Sequence, residues 1–147
     1  MNENKENKVK CWERLPVSKT YWYIDGYNRI KETAEMYTQS DNCRYQSGNY
    51  YYSEEEATYY ADKQRLINDI RRWKRIHDNG TVNWKNLNQN KVGIGYLHEE
   101  KRLKPMEYMY AEMLFSTFFT SVEIAEECYE TFRDEIVSVL ERGESWE

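Results

Sequence analysis

The pattern of apolar and polar residues predicts two strand-rich segments, each followed by an amphipathic helix. In the first segment, β-branched and aromatic residues at 20–24 precede Asp25-Gly26, a dipeptide typical of hairpin turns. Residues 27–36 fit the return strand, and they fit a helix equally well. Polar residues at 38–49 then predict a loop, and residues 50–52 a short strand.

A long helix is predicted from Ser53 to His77. Ser53 and Glu56 have the spacing of a capping box, in which each side chain binds a backbone N–H at the helix start. Apolar residues recur at helical intervals along one face. This face carries Tyr59, Leu66, Ile70 and Trp73, flanked by Tyr60 and Ile67. An Asn-rich connector follows at 81–90.

The second segment repeats this order. Residues 91–97 predict a strand, residues 98–101 a turn, and a return strand starts at Arg102. Pro105 interrupts this return strand, which favours a position at a sheet edge. Residues 113–120 then predict a buried strand.

The last predicted helix starts after Thr120, which has capping-box spacing with Glu123, and ends near Gly143. One face of this helix is apolar, and acidic residues lie opposite. The apolar face carries Ala125, Cys128, Tyr129, Phe132, Ile136 and Val139.

These elements predict an α+β fold, with an antiparallel sheet built from two strand-strand-helix halves and two main helices packed on it. Tyr51–Ala57 matches Phe119–Ala125 at aromatic, Ser, Glu and Ala positions, 68 residues apart, as an internal duplication would. We expect a flexible tail at 1–11 and a single domain at 12–147, with halves at about 12–80 and 81–142.

Composition narrows the classes of function. The net charge is −5, and residues 81–147 carry 13 acidic against 7 basic residues, which disfavours a generic nucleic-acid binder. The chain has no apolar run near the ~18 residues of a membrane span, and residues 1–10 lack the apolar segment of a secretory signal. Its three cysteines lack metal-site spacing, so we expect free thiols in a reducing cytoplasm.

Catalytic and cofactor motifs are weak. His77 and His98 are the only histidines, and neither has partners at a diagnostic spacing. Gly93-x-Gly95 lacks the third glycine and the helix of a dinucleotide fingerprint. We therefore expect no catalytic residues, no cofactor and no bound metal.

A basic cluster, defined as Arg71, Arg72, Trp73, Lys74 and Arg75, lies near the end of the first long helix. Four cations around a Trp could bind phosphates and stack a base. The alternative is that cations favour a helix C-terminus, while Trp73 belongs to the apolar face.

An acidic row lies on the last helix and is defined as Glu123, Glu126, Glu127, Glu130 and Asp134. Carboxylates at helical spacing can imitate a row of phosphates and occupy a nucleic-acid channel on a partner protein. The alternative is a solubilising surface. Aromatic residues near such a row would supply the binding hot spots. Candidates are Tyr21, Tyr23, Tyr45, Tyr50, Tyr108 and Tyr110.

Several structural residues stand in a recognisable order along the chain. They are Trp12, the Tyr-rich strand before Asp25-Gly26, Gly48-Asn49-Tyr50-Tyr51, Ser53–Ala57, Trp84 with Asn86 and Gln89, and Phe119–Ala125. This order resembles a broad group of small accessory proteins encoded by phages and prophages of low-GC Gram-positive bacteria. The resemblance spans most of residues 12–140, departs from the usual pattern at 105–117, and contains no catalytic motif.

Small phage proteins of this kind are often direct inhibitors of host systems, including anti-CRISPR proteins. The resemblance therefore implies a non-enzymatic protein of the host bacterial cytoplasm that inhibits a defence component, with a CRISPR-Cas nuclease as the leading target. The alternative is a nucleic-acid or nucleotide-binding accessory protein that uses the basic cluster. A homodimer through an unpaired sheet edge is also open.

Overall fold

A computed structural model describes residues 13–107 and 117–143. The predicted tail at 1–11 lies outside these residues. The described chain has an α+β fold with four helices and two small antiparallel sheets. The elements are β1 (Thr20–Ile24), β2 (Ile30–Ala34), α1 (Gln39–Ser47), α2 (Glu54–His77), β3 (Gly93–Leu97), β4 (Arg102–Met106), α3 (Val122–Thr131) and α4 (Arg133–Gly143).

The chain divides into two compact units, Met1–Ala61 and Asp62–Glu147. The boundary falls inside α2, earlier than the division at residue 80 that the sequence predicted. The α+β class is confirmed. The strands of the described residues form two separate two-stranded sheets, β1–β2 and β3–β4, instead of the single sheet expected. The single-domain organisation of 12–147 stays a prediction.

The first unit contains the predicted hairpin. β1 and β2 pair in antiparallel register, from Thr20 opposite Ala34 to Ile24 opposite Ile30, so residues 27–36 contribute a strand. The connection between the strands spans residues 25–29. It is held by the Asp25 carboxylate, which accepts the backbone N–H groups of Tyr27 and Arg29 at 2.8 and 3.0 Å.

The predicted loop at 38–49 is wrong, since residues 39–47 form α1. Thr38 is the N-cap, and its side chain and that of Asp41 form a reciprocal capping box. Gly48 ends the helix in the left-handed conformation, with φ 77°, which glycine adopts without steric cost. Polar side chains suggested a loop here, but the two ends carry helix signals.

Tyrosines build much of the core of the first unit. Tyr21 is fully buried and stacks on Tyr50 with ring centroids 4.0 Å apart. The Tyr21 hydroxyl donates to Asp41 at 2.6 Å, and the Tyr50 hydroxyl donates to Glu35 at 2.9 Å. Each buried ring thus has a partner for its polar end, as a Tyr-rich core requires.

The second unit is built on the β3–β4 hairpin. Its register runs from Gly93 opposite Met106 to Leu97 opposite Arg102. Apolar residues of α3 and α4 form two core clusters with β4 and with the bridge between Val92 and Phe119. Buried members of these clusters are Val92, Phe119, Ala125 and Cys128 in one, and Leu103, Tyr129 and Ile136 in the other. The apolar face predicted for the last helix is therefore confirmed.

The last helix is interrupted, contrary to the single helix predicted. Phe132 leaves helical geometry, with φ −111° and ψ 20°, and separates α3 from α4. Phe132 packs against both core clusters. Its neighbours contain neither Gly nor Pro, so no local signal marks this break.

The recurrent sequence segment has a recurrent local structure. Trp22 and Tyr51 form an isolated antiparallel bridge, and so do Val92 and Phe119. The first bridge precedes α2 and the second precedes α3. In both cases the residue two positions after the aromatic bridge residue is a serine, and its hydroxyl accepts the backbone N–H of the residue three positions later. The next residue is a fully buried alanine. These residues are Ser53 with Ala57 and Ser121 with Ala125.

Two capping predictions are changed in detail. Ser121 caps α3, where Thr120 was predicted. Glu56 accepts the N–H of Tyr52 at 2.8 Å, one residue before Ser53. Of the predicted strand at 113–120, residues 113–116 lie outside the described residues, and Phe119 is a single bridge residue. Among the described helices, none combines the length and apolarity needed to cross a membrane.

Candidate partner-binding surface

The acidic row is exposed along its whole length. All five of its side chains are solvent-exposed, while the opposite face of α3 buries Ala125, Cys128 and Tyr129. Four members lie on α3, and Asp134 lies in the first turn of α4 because the helix breaks at Phe132. The core therefore fixes which face of α3 is turned to solvent.

The members of the row differ in their ion pairs. Glu130 accepts both a 3.0 Å bond from Arg133 Nε and a second bond from Arg133 Nη2, and this pairing lowers the pKa of Glu130. Glu123, Glu126 and Glu127 form no ion pair with any described residue. Their charges are thus uncompensated, whereas that of Glu130 is paired.

Asp78 fixes the chain just before α3. Its side chain is fully buried, and its oxygens accept from Thr120 N at 3.0 Å, Gly80 N at 3.1 Å and the Thr120 hydroxyl at 2.5 Å. Lys74 completes the arrangement with an ion pair at 2.9 Å. A Cβ atom on Gly80 would lie 2.4 Å from Thr120 Cγ2, so this contact requires glycine.

These partners keep Asp78 ionised. Burial by itself would raise the pKa of its carboxyl group, but the bonds from Thr120 and Lys74 and the backbone N–H groups outweigh burial and lower the pKa. Sequence patterns do not single out Asp78, because its partner Thr120 is 42 residues away in the sequence.

A shallow groove of about 420 Å³ extends the surface along α4. Asp134 lines this groove together with Val137, Glu141 and Arg142. Arg142 is held in place by a 3.0 Å bond to Asp62. The groove therefore joins the end of the acidic row to a partly apolar surface.

The basic cluster is largely occupied by contacts within the chain. Arg72 pairs with Asp69 at 3.0 Å, and Lys74 pairs with buried Asp78. Trp73 packs against the first core cluster and stacks on His77, with ring centroids 4.0 Å apart. Trp73 is therefore partly buried against the core, which leaves less of its ring for stacking a base.

The proposed tyrosine hot spots are not all surface residues. Tyr21 and Tyr50 are buried, and Tyr23 and Tyr45 are half-buried. Tyr108 and Tyr110 lie outside the described residues. Only the half-buried pair thus has described surface to offer, and it lies in the first unit.

The candidate reactive side chains, Cys128 and the two histidines, are buried or packed against neighbouring groups. Cys128 is fully buried, and burial raises the pKa of its thiol to about 12, which disfavours the nucleophilic thiolate. His77 Nδ1 lies 2.9 Å from the Trp73 carbonyl oxygen, and His98 packs edge-on to Tyr96. In the part of the chain that the structure describes, no group of three or more His, Cys, Asp or Glu residues could hold a metal ion.

Two further buried charges were missed by the sequence argument. Glu35 is fully buried and pairs with Arg14 at 2.8 and 2.9 Å. Lys91 is also buried, and its ammonium group donates to the carbonyl oxygens of Asn86 and Gln89 at 2.6 and 3.0 Å. Neither partner is predictable from local spacing of charges.

Comparison with protein-family models, with curated proteins and with solved structures found no match to this chain.

Proposed function

We propose that this chain is a non-enzymatic anti-defence protein of the phage type, acting in the host bacterial cytoplasm. It binds a cationic, nucleic-acid-binding surface of a host defence component through the acidic row, and a CRISPR-Cas nuclease is the leading target. The observation that carries the proposal is the exposure of Glu123, Glu126 and Glu127, which form no ion pair with any described residue, on a helix fixed by its buried face.

The spacing of the row supports this mechanism. A helix rises about 5.4 Å per turn, so acidic residues three and four apart place a carboxylate on each successive turn of one face. Such a row offers regularly spaced negative charge to Lys and Arg side chains that ordinarily bind phosphates. Because the protein is acidic overall, long-range attraction would also accelerate association with a cationic target.

Affinity would come from more than charge. Exposed ion pairs contribute little each, typically about 0–1 kcal/mol, and they select partners more than they hold them. The α4 groove supplies the partly apolar contact that the acidic row lacks, with Val137 in its lining and Leu140 38% exposed on the same helix. We assign this groove to the same binding surface.

The nucleic-acid alternative has less support. Two of the four cations of the basic cluster are paired within the chain, and its Trp is engaged in the core. Binding of nucleic acid along this helix would depend on Arg71 and Arg75 alone. An acidic row on the same unit would oppose a long phosphate backbone.

The test is a plasmid-interference assay in a Gram-positive host with an active CRISPR-Cas nuclease. Expression of the wild-type chain should restore transformation by a targeted plasmid. The variant Glu123→Lys/Glu126→Lys/Glu127→Lys should lose at least about tenfold of this effect, because each substitution replaces attraction to a cationic surface by repulsion.

A matched control changes the same number of charges elsewhere. Glu32→Lys/Glu99→Lys/Glu107→Lys alters exposed acids that form no ion pair with described residues, and it should behave as wild type. Equal activity of the two triple variants would contradict the acidic-row mechanism. Failure of the wild-type chain to protect the plasmid would contradict inhibition of that nuclease.

A further inference from the structure

The second unit contains a cleft that is separate from the acidic row. Its volume is about 610 Å³, which falls within the roughly 300–1,000 Å³ usual for small-molecule sites. The cleft is bordered by the C-terminal end of α2, the Asn-rich connector and the chain just before Phe119. Its lining includes Lys74, Arg75, Asn79, Thr81, Trp84 and Phe118.

One side of the cleft is cationic. Arg75 is exposed and forms no ion pair with any described residue, and Arg71 lies one turn earlier on α2 in the same condition. Lys74 is held by Asp78. The Asp78 oxygens are already occupied by Lys74, Thr120 and Gly80, so this carboxylate is compensated within the protein. The free charge at the cleft is that of Arg75.

The other side is aromatic and held in place. Trp84 packs edge-to-face with Phe118, with ring centroids 4.8 Å apart and ring planes at 88°. Buried Lys91 places its ammonium group 5.8 Å from the centre of the Trp84 ring. Gln89 closes the connector by accepting Asn83 N at 2.6 Å and donating to the Thr81 carbonyl at 2.7 Å.

A fixed aromatic wall beside a free guanidinium suits a ligand that combines an aromatic ring with an anionic group. Aromatic side chains bind bases by stacking on their flat faces. The guanidinium group binds phosphate with two parallel hydrogen bonds. Asn79 adds an exposed amide with both donors and an acceptor, which can pair with a base edge.

We infer that this cleft binds one nucleotide unit, with its base on Trp84, which buried Phe118 supports, and its phosphate on Arg75, assisted by Arg71. The unit is either a free nucleotide or one residue of a single strand. The inference does not depend on the acidic-row proposal, because the two sites share no residue. It also replaces Trp73 by Trp84 as the aromatic partner of the cations on α2.

The experiment is a titration of the full chain, followed by Trp fluorescence and calorimetry, with adenosine 5′-monophosphate, adenosine and a ten-residue oligothymidylate as probes. Saturable binding of the monophosphate identifies a free-nucleotide site. Binding of the oligomer alone identifies a single strand as the source. Adenosine should bind at least about tenfold more weakly than its monophosphate, since it lacks the charge-assisted bond.

Arg75→Gln should weaken binding of whichever probe binds by about tenfold, and Trp84→Phe should remove most of the fluorescence change while leaving the fold intact. Arg72→Gln is the matched control, because Arg72 is an exposed arginine on the same helix that pairs with Asp69 and lies outside the cleft. Absence of binding by both phosphate-containing probes at millimolar concentration overturns the inference. Equal loss in the Arg75 and Arg72 variants also overturns it.

Discussion

At the scale of single residues, buried charges connect parts of each unit that are distant in the sequence. Glu35, Asp41 and Asp78 are buried carboxylates, and each accepts several hydrogen bonds. An ion removed from water is tolerated only when partners replace its hydration. These carboxylates therefore mark the places where distant parts of a unit are joined.

Replacement of Asp78 tests this view. Asp78→Asn keeps the shape but turns one acceptor oxygen into a donor that faces Thr120 and Lys74. We expect a loss of about 3 kcal/mol in the free energy of unfolding, since breaking a buried pair leaves its partner uncompensated. Urea unfolding followed by Trp fluorescence measures this loss.

Asp69→Asn is the control for Asp78, because Asp69 pairs with Arg72 at an exposed position on the same helix. Its loss should stay below about 0.5 kcal/mol, as for other exposed pairs. Similar losses in both variants would mean that Asp78 acts as an ordinary surface carboxylate.

At the scale of elements, a recurrent unit of aromatic bridge, serine cap and buried alanine starts both α2 and α3. The bridge aligns the chain with its hairpin, and the serine supplies an acceptor for one of the free N–H groups of the first turn. The same kind of helix start therefore begins two helices that differ in surface charge. One is the long helix that carries the basic cluster, and the other carries the acidic row.

Removal of the two caps should have similar effects. Ser53→Ala and Ser121→Ala should each lower the free energy of unfolding by about 1 kcal/mol, since each leaves an N–H of the first turn without its acceptor. Thermal and urea unfolding measure this change. Ser138→Ala, an exposed position inside α4, removes the same hydroxyl without removing a cap and should cause no loss. A loss at Ser138 as large as at the caps would show that capping is not the cause.

At the scale of the whole molecule, the distribution of charge separates surface from interior. The net charge is −5, and three carboxylates are buried with hydrogen-bond partners, whereas Glu123, Glu126 and Glu127 are exposed and form no ion pair with any described residue. Buried carboxylates affect stability, whereas the proposed association depends on exposed ones. Changes of pH and of salt should therefore act on different properties of the protein.

The pH dependence follows from the buried carboxylates of both units. Bonds from Arg14 lower the pKa of Glu35. For Asp41, burial opposes ionisation, but the Tyr21 and Thr38 hydroxyls and backbone N–H groups hold its pKa well below the ordinary value. The pKa of Asp78 is also lowered, because the bonds from Thr120 and Lys74 outweigh the effect of burial. The unfolded chain binds protons near the ordinary values of 4.5 for Glu and 3.8 for Asp, before the folded chain does.

The stabilisation from these groups is thus complete above about pH 5 and is lost as the pH falls below 4 toward their folded-state pKa values. Urea midpoints measured from pH 7 to pH 3 should stay level and then drop. Asp78→Asn should show a shallower drop, because one of the groups that takes up a proton on unfolding is gone. A wild-type midpoint that holds steady or rises between pH 5 and pH 3 would contradict this account.

Local patterns in the sequence predicted much of the secondary structure. The second hairpin, the span of α2 and the buried face of α3 and α4 were predicted, because alternation, capping spacing and helical periodicity involve residues that are close in the chain. For residues 27–36 the local pattern left strand and helix open, and pairing with β1 decided it. The acidic row was predicted for the same reason, as a set of residues on one helical face. Its role in binding stays a prediction.

Tertiary structure decided what the charges do. The bonds from Thr120 to buried Asp78 and the packing of Trp73 on Val92 and Phe119 depend on residues far away in the sequence. The cleft at Trp84 also brings together two distant segments of the chain, residues 74–84 and 117–118. Periodicity by itself thus determined which faces are apolar or charged. Which charges remain free to bind another molecule was decided only by folding, because compensation of a charge requires its partner to lie within a few ångströms.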